Sequence, residues 1–465
     1  MKPKELREEL RKTHKINPLR NKQTNVESKQ KNEKDFLYES LRKRTEDNND
    51  LKIIGVTGSK GKSTVCYLLH QALKAMGKES ILYSSIEIDS KMSYNLKKAV
   101  DNPMRDKKML LNAINEAIES KAQYLILEIN EKAIKNNIVD DLDFDLKVIT
   151  NIVYKHNNYL YNDYEEIKKS FLLKNNTPNT KLLVTITNPL TVDLFNRLEN
   201  PVVFTTNYLQ EAYKLDKSKI KYILKENENE LDTLNGLDFD IYKNNEKVNL
   251  KSNLIMMHNA MNIGIVYSIL NELKVYDHNK YLEVLSNITI PGRAEVIDYK
   301  NKKIIITFAL DPELENLSRY KEKKYCNKII VVAGANGLGH KTWTEEFNTE
   351  EYIEDKISGM KYAYNYIQNF ADKVYITTSD SGATDKQELI NYQSNLVTRI
   401  EKHCYENRKY AIYKAILEAN NGDIILITGR GNREMICDGY DTVSFMMDKD
   451  AVLDVIDSLE KDTVW

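Results

Sequence analysis

Beginning at Leu51, short apolar runs alternate with segments whose apolar residues recur every three or four positions. The runs IIGV (53–56), SILYSS (80–85), YLILEI (124–129) and LKVITNI (146–152) read as buried strands, and Ser63–Met76 and Asp106–Ser120 read as helices between them. This order predicts a mostly parallel sheet with crossover helices. After Lys181 the runs KLLVTI, PVVFTT, IKYILKE and FDIYKN lie closer together among Asn, Asp and Gly turns, so more sheet with shorter connections is expected there. An apolar helix over His258–Leu273 follows. Pro291 and Gly292 then punctuate the chain. Beyond them AEVIDY, KIIITFAL, KIIVVAG, KVYITTS and DIILITG start a second alternation, whose strands end in GANGLGH, TSDSG and GRGN. Ligands of open α/β sheets gather at such carboxyl ends.

The expected organisation is a polar, helical or partly disordered arm (residues 1–50), a central α/β domain (51–290) and a Rossmann-like α/β domain (291–465). The arm carries polar helical stretches at Lys4–Thr13 and Glu33–Arg44 around an Asn-, Lys- and Gln-rich segment. Lys+Arg 68 against Asp+Glu 69 leaves no net field to recruit nucleic acid or an anionic membrane surface. The N-terminus lacks an apolar core segment, and no run reaches the roughly 18 apolar residues of a membrane span. Cys66, Cys326, Cys404 and Cys437 are widely spaced, with no C-x-x-C pair, which suits a reducing compartment. A cytoplasmic protein with no nucleic-acid partner and no membrane insertion is expected; the oligomeric state is not legible.

The sharpest chemical signal is LKIIGVTGSKGKST (51–64): an apolar strand, a glycine-rich loop and Lys-Ser-Thr at a helix start. Gly58 and Gly61 free the backbone to aim N–H groups at phosphate oxygens, Lys62 supplies a point charge, and the Ser63 hydroxyl can hold Mg²⁺. The spacing departs from G-x-x-x-x-G-K-[ST], because Val56 stands where the first glycine belongs. ATP and Mg²⁺ are the expected ligands.

Thr57 to Ser63 follows the variant T-G-[ST]-x-G-K-[ST] and resembles the phosphate loop of the Mur ligases, ATP-dependent amide-bond ligases of peptidoglycan synthesis and their relatives. LEIN (127–130), TNIVYKH (150–156), YEEIK (164–168), HNAMN (258–262), PGRAEV (291–296), TSDSGATD (378–385) and ITGRGNRE (427–434) match in family order. The resemblance is strongest to the branch that adds the third amino acid of the stem peptide. It implies that the ATP γ-phosphoryl moves to an acceptor carboxylate and that an amine then attacks the acyl phosphate. It places Thr57, Gly58, Ser59, Lys60, Gly61, Lys62, Ser63 and Thr64 around the phosphates, and Asn259 and Asn262 near the adenine. Arg293 would reach the phosphates from the second domain. Ser63, Glu128, His156 and Lys168 would hold metal, with Lys168 matching a lysine that CO₂ converts to a carbamate in many members. Lys62, Lys168 and Arg293 are thus the implied catalytic residues, and Asp380, Ser381, Arg430 and Glu434 the implied amino-acid site.

Several positions depart from the family pattern. Lys155 replaces the Asp of D-H, Asn130 a serine of E-x-S-S, and Thr307 and Leu310 the Asp and His of D-Y-A-H-x-P. A nucleotide-binding regulator with weakened catalysis is therefore a second reading, and a polyamide ligase resembling the cyanophycin or poly-glutamate enzymes a third. Asp380-Ser381-Gly382-Ala383 stands where diaminopimelate ligases carry D-N-P-R, leaving no arginine for a second carboxylate. Only 50 residues precede Leu51, fewer than the roughly hundred-residue domain that holds the UDP moiety in relatives, so a different acceptor is expected.

Overall fold

The computed structural model describes residues 51–90, 102–153, 163–225, 232–310, 313–337, 350–382, 384–438 and 441–461. The expected arm (1–50), His156 and Lys155 lie outside the described residues. The described residues form two compact units, one containing those from 51 to 295 with 322–325, the other those from 296 to 321 and from 326 onward.

The first unit runs β1 (Lys52–Thr57), α1 (Lys62–Ala75), β2 (Ser80–Tyr83), β3 (Ile88–Asp89), α2 (Lys107–Glu119), β4 (Tyr124–Glu128), α3 (Glu131–Lys135), β5 (Leu146–Ile149) and α4 (Tyr164–Leu173). It continues through β6 (Lys181–Thr185), α5 (Pro189–Arg197), β7 (Val202–Thr206), α6 (Asn207–Ala212), β8 (Tyr222–Lys225), β9 (Asp232–Thr233), β10 (Gly236–Lys243), β11 (Glu246–Ser252), α7 (Met257–Glu272) and α8 (His278–Asn287). The strands make one sheet in the order β11-β10-β8-β7-β6-β5-β1-β4-β2-β3, with β9 beside β10. From β8 to β2 every pairing is parallel, while the β10–β11 hairpin and β3 add antiparallel edges.

Alternating positions of β1 feed two cores. Ile54 and Val56 pack with α1 and α7 on one face, and Leu51 and Ile53 with α2 and the α3–α4 region on the other. Both faces are covered, which is why these strands read as continuous apolar runs. The closely spaced runs after Lys181 turn out to extend the same sheet: β6, β7 and β8 continue it in parallel, and β9, β10 and β11 add antiparallel pairings at its end.

The second unit comprises β12 (Glu295–Tyr299), β13 (Lys302–Thr307), α9 (Glu313–Glu322), β14 (Ile329–Ala335), α10 (Glu350–Phe370), β15 (Lys373–Thr378), α11 (Lys386–Leu396), β16 (Glu401–Cys404) and α12 (Arg408–Glu418). β17 (Ile424–Thr428), β18 (Met435–Asp438), β19 (Asp441–Ser444) and α13 (Asp448–Glu460) complete it. Its main sheet has the order β12-β13-β17-β14-β15-β16, parallel from β13 to β16. A parallel sheet covered by helices is the Rossmann-like architecture that the sequence pattern implies. Among the described residues, no helix is long and apolar enough to cross a membrane.

Candidate active site

β1 lies at the point where the sheet's connections diverge, with β4 on one side and β5 on the other, so the loop leaving its carboxyl end sits where ligands of open α/β sheets gather. Thr57 closes the strand, its Oγ1 donating to the Ile129 carbonyl at 2.8 Å. Gly58 and Gly61 have φ of 145° and 81°, backbone that favours glycine. A Cβ on Gly61 would also come within 2.5 Å of Asn262 Oδ1. The end of β5 grips the loop: Ser59 N–H donates to Asn151 O (3.0 Å), Lys60 N–H to Asn151 Oδ1 (2.9 Å), and Thr150 Oγ1 to Lys60 O (2.6 Å). From α4, the Tyr164 hydroxyl donates to Ser59 Oγ at 3.0 Å.

Gly61 is the N-cap of α1 and offers no side-chain cap, so the first amides of that helix keep their donors for a ligand. Lys62 reaches back over the loop, Nζ donating to Gly58 O at 3.0 Å and Ser59 O at 3.4 Å. Thr64 is buried within α1.

Ser63 and Glu128, far apart in sequence, meet because β1 and β4 are parallel neighbours, Val56 being level with Glu128. Ser63 Oγ donates to Glu128 Oε1 at 2.9 Å, and Ser84 Oγ and Ser85 N–H donate to Oε2 at 2.8 Å each. Glu128 is 5% exposed. Sequence reasoning missed Ser84 and Ser85; their signal was the pair of serines ending SILYSS at the carboxyl end of a strand. This set of hydroxyl and carboxylate oxygens fits a hard divalent cation such as Mg²⁺. His70, Glu87 and Asp89 also bring ligand-type atoms within 4.8 Å of one another. There Lys74 Nζ sits 3.0 Å from Asp89 Oδ2, while His70 spends its nitrogens on Asp89 (2.9 Å) and Ser80 (2.8 Å), which does not suit a cation.

Lys168 is fully buried on α4, with Nζ 3.0 Å from Glu131 Oε2 and 5.5 Å from the centre of the Tyr164 ring. Burial acts to raise the Glu131 pKa, but the Lys168 charge, a backbone hydrogen bond and the Lys62 charge hold it down at about 2. Sequence reasoning did not single out Glu131. Asn130, the departure beside it, caps α3 by accepting from Ala133 N–H at 2.9 Å.

Asn259 and Asn262 are both buried on α7; Asn259 Nδ2 donates to Ile255 O at 2.9 Å and Asn262 Nδ2 to Asn259 Oδ1 at 3.2 Å. The side chain of Asn262 lies against the phosphate loop at Gly61. Arg293 lies just before β12, Nη1 donating to the Gly292 carbonyl at 3.0 Å.

In the second unit, Asp380, Ser381, Arg430 and Glu434 follow the carboxyl ends of β15 and β17, which flank β14. Asp380 O accepts from Gly337 N–H at 2.7 Å, and Ser381 O from Thr384 N–H at 3.1 Å. Each nitrogen of the Arg408 guanidinium has a partner: Nε and Nη2 bond Asp448 at 2.7 and 2.8 Å, Nη2 also Thr428 O at 2.9 Å, and Nη1 reaches Thr378 O at 3.5 Å. Arg430 is different. It is 2% exposed, its Nε and Nη2 have no hydrogen-bond partner among the described residues, and its Cζ lies 4.3 Å from the centre of the Phe445 ring. Burial, then the Arg408 charge, lower its pKa to about 10 against the pull of Asp448 and Asp380. Thr307, one of the departures, is buried and donates to Glu313 Oε1 at 2.9 Å.

Comparison with known proteins agrees with this geometry. A family model for the Mur ligase middle domain matches residues 56–270, and one for the Mur ligase, glutamate ligase domain matches 292–431. The chain belongs to the Mur ligase family. The ATP-dependent amide-ligase class read from the motifs is thereby borne out. The UDP-N-acetylmuramoyl-L-alanyl-D-glutamate--2,6-diaminopimelate ligase of Prochlorococcus marinus is 25% identical over 405 residues, covering 83% of this chain and 73% of its own. The UDP-N-acetylmuramyl-tripeptide synthetase of Lactobacillus acidophilus is 24% identical over 419 residues, covering 82% and 73%. Among solved structures, the MurF ligase of Thermotoga maritima in complex with ADP superposes with a TM-score of 0.62 over 92% of this chain and 84% of its own, at 16% identity.

Proposed function

We propose that this Mur ligase binds MgATP at the loop 57–64 and joins an amino acid to a carboxylate acceptor in the cytoplasm. The observation that carries the reading is the meeting of Ser63 and Glu128 at the uncapped start of α1, directly behind a loop whose glycines and lysine are intact. The α1 amides and Lys62 would bind the β- and γ-phosphates. Ser63 and Glu128 would hold Mg²⁺, which when bound neutralises the crowded phosphate charge. An acceptor carboxylate oxygen attacks the γ-phosphorus and ADP leaves; the amine then attacks the acyl carbon and phosphate leaves. Nε and Nη2 of Arg430, which have no hydrogen-bond partner among the described residues, would receive the carboxylate of the incoming amino acid, because a planar fork matches two carboxylate oxygens. Arg293 supplies a further cation for the nucleotide side, and Asn259 and Asn262 line its base end.

The test is an ADP-release screen of amino acids against carboxylate acceptors, UDP-muramyl-dipeptide included. ADP release that requires both an acceptor and an amine supports the reading. Nucleotide binding with no turnover for any pair contradicts it and favours the regulator.

A further inference from the structure

The resemblance assigns Lys168 a carbamate and a metal-ligating role, and the surroundings of this lysine do not fit that group. Its Nζ is fully enclosed, 3.0 Å from Glu131 Oε2 on one side and 5.5 Å from the Tyr164 ring centre on another. A carbamate forms when the amine nitrogen adds to the carbon of CO₂ with loss of a proton, placing three more heavy atoms and a negative charge on the nitrogen. Here those atoms would need room where Glu131 already stands, and the new anion would face a carboxylate, the like-charge juxtaposition that disfavours ionisation of either group. The backbone position of Glu131 is set by the fold. It opens α3, whose start is fixed by the Asn130 cap, and α3 packs on α4. One turn before Lys168 on α4, Tyr164 bonds Ser59 of the phosphate loop.

We propose that Lys168 stays an unmodified lysine that ligates no metal, and that the Lys168–Glu131 pair is a positioning device tying α3 and α4 to the phosphate loop through Tyr164 and Ser59. The built-in carboxylate of Glu131 takes the place in which a carbamate would otherwise lie. This rests on the reading of the loop as an ATP site, yet its first test needs no turnover.

The full-length protein in ¹³C-bicarbonate, with and without MgADP, is expected to show no protein carbamate resonance by ¹³C NMR. A resonance that disappears in Lys168→Arg would overturn the proposal. In the ADP-release assay, Lys168→Arg keeps the charge facing Glu131 and is expected to retain activity within about tenfold of wild type. Lys168→Ala is expected to raise KM for ATP more than it lowers kcat, with no rescue by acetate. An Arg variant that is folded by circular dichroism but as inactive as the Ala variant, with acetate restoring the latter, would contradict the positioning role. Should Lys168→Arg fail to fold, Glu131→Gln replaces it: weaker MgADP binding without a new carbamate signal supports the proposal, and unchanged binding overturns it. A wild type that binds MgADP but never releases ADP in the screen would defeat the ligase reading while leaving the NMR result decisive here.

Discussion

On the proposed function, Lys62 is the residue whose removal is expected to cost nucleotide binding most. Its ammonium lies over the Gly58 and Ser59 carbonyls, where a phosphate chain following the loop would meet it. Lys62→Ala is expected to weaken MgATP binding by about tenfold or more, read by isothermal calorimetry. Gly61→Ala makes a different demand: the backbone at φ 81° disfavours a Cβ, and that Cβ would press on Asn262 Oδ1. A loss of about 1–3 kcal/mol of stability and a collapse of nucleotide affinity are expected, measured by thermal unfolding and calorimetry. The loop was legible because its chemistry is contiguous, seven residues that must follow one another. Glu131 was not, because its meaning comes from Lys168, 37 positions away, and from the packing of one helix on another. Arg430 was named from its motif, but only the structure distinguishes it from Arg408: every guanidinium nitrogen of Arg408 has a partner, while Nε and Nη2 of Arg430 have none among the described residues.

At the level of elements, α4 works as a brace, with Tyr164 on Ser59 at its start and Lys168 on Glu131 one turn later. Tyr164→Phe removes one hydrogen bond, worth about 0.5–1.5 kcal/mol, and is expected to raise KM for ATP several-fold while leaving the fold intact. In the second unit, α12 is tied to β15 through Glu418, which accepts from Tyr375 OH at 2.5 Å and faces Lys414 at 3.1 Å and Lys373 at 3.5 Å. Burial opposes its ionisation, but these partners prevail and hold its pKa at about 2, below the ordinary value of 4.5. The folded state therefore favours the ionised carboxylate, so the stabilisation is complete above about pH 4.5 and fades as pH falls toward 2. Glu418→Gln is expected to lower the melting temperature at pH 7, and the gap from wild type should narrow between pH 4.5 and 2 in thermal scans. Helix and strand types were readable from periodicity, and the helix placed at Ser63–Met76 is observed at Lys62–Ala75. The continuation of one sheet from β6 through β11 was harder to foresee, because spacing between apolar runs does not reveal whether a strand joins the old sheet or starts a new one.

At the scale of the whole molecule, the proposed function draws on groups in each unit, taken separately. The first offers the uncapped amides at the start of α1, Lys62 and a hydroxyl–carboxylate pair at the end of a parallel sheet. The second offers a buried guanidinium with open donors at the end of its own sheet. The departures at Asn130 and Thr307 leave this arrangement standing, since Asn130 caps a helix and Thr307 satisfies Glu313. The acceptor was not legible, because its contacts depend on residues that no contiguous motif gathers. Arg430→Met is expected to raise KM for the amino acid by about tenfold or more and leave MgATP binding unchanged, which separates the two halves. The central claim, that this chain uses ATP to join a carboxylate to an amine, is tested most directly by steady-state ADP release with each substrate omitted in turn. The expected result is turnover only when MgATP, a carboxylate acceptor and an amino acid are all present, abolished by Lys62→Ala. ADP release indifferent to acceptor and amine, or unaffected by Lys62→Ala, would contradict it.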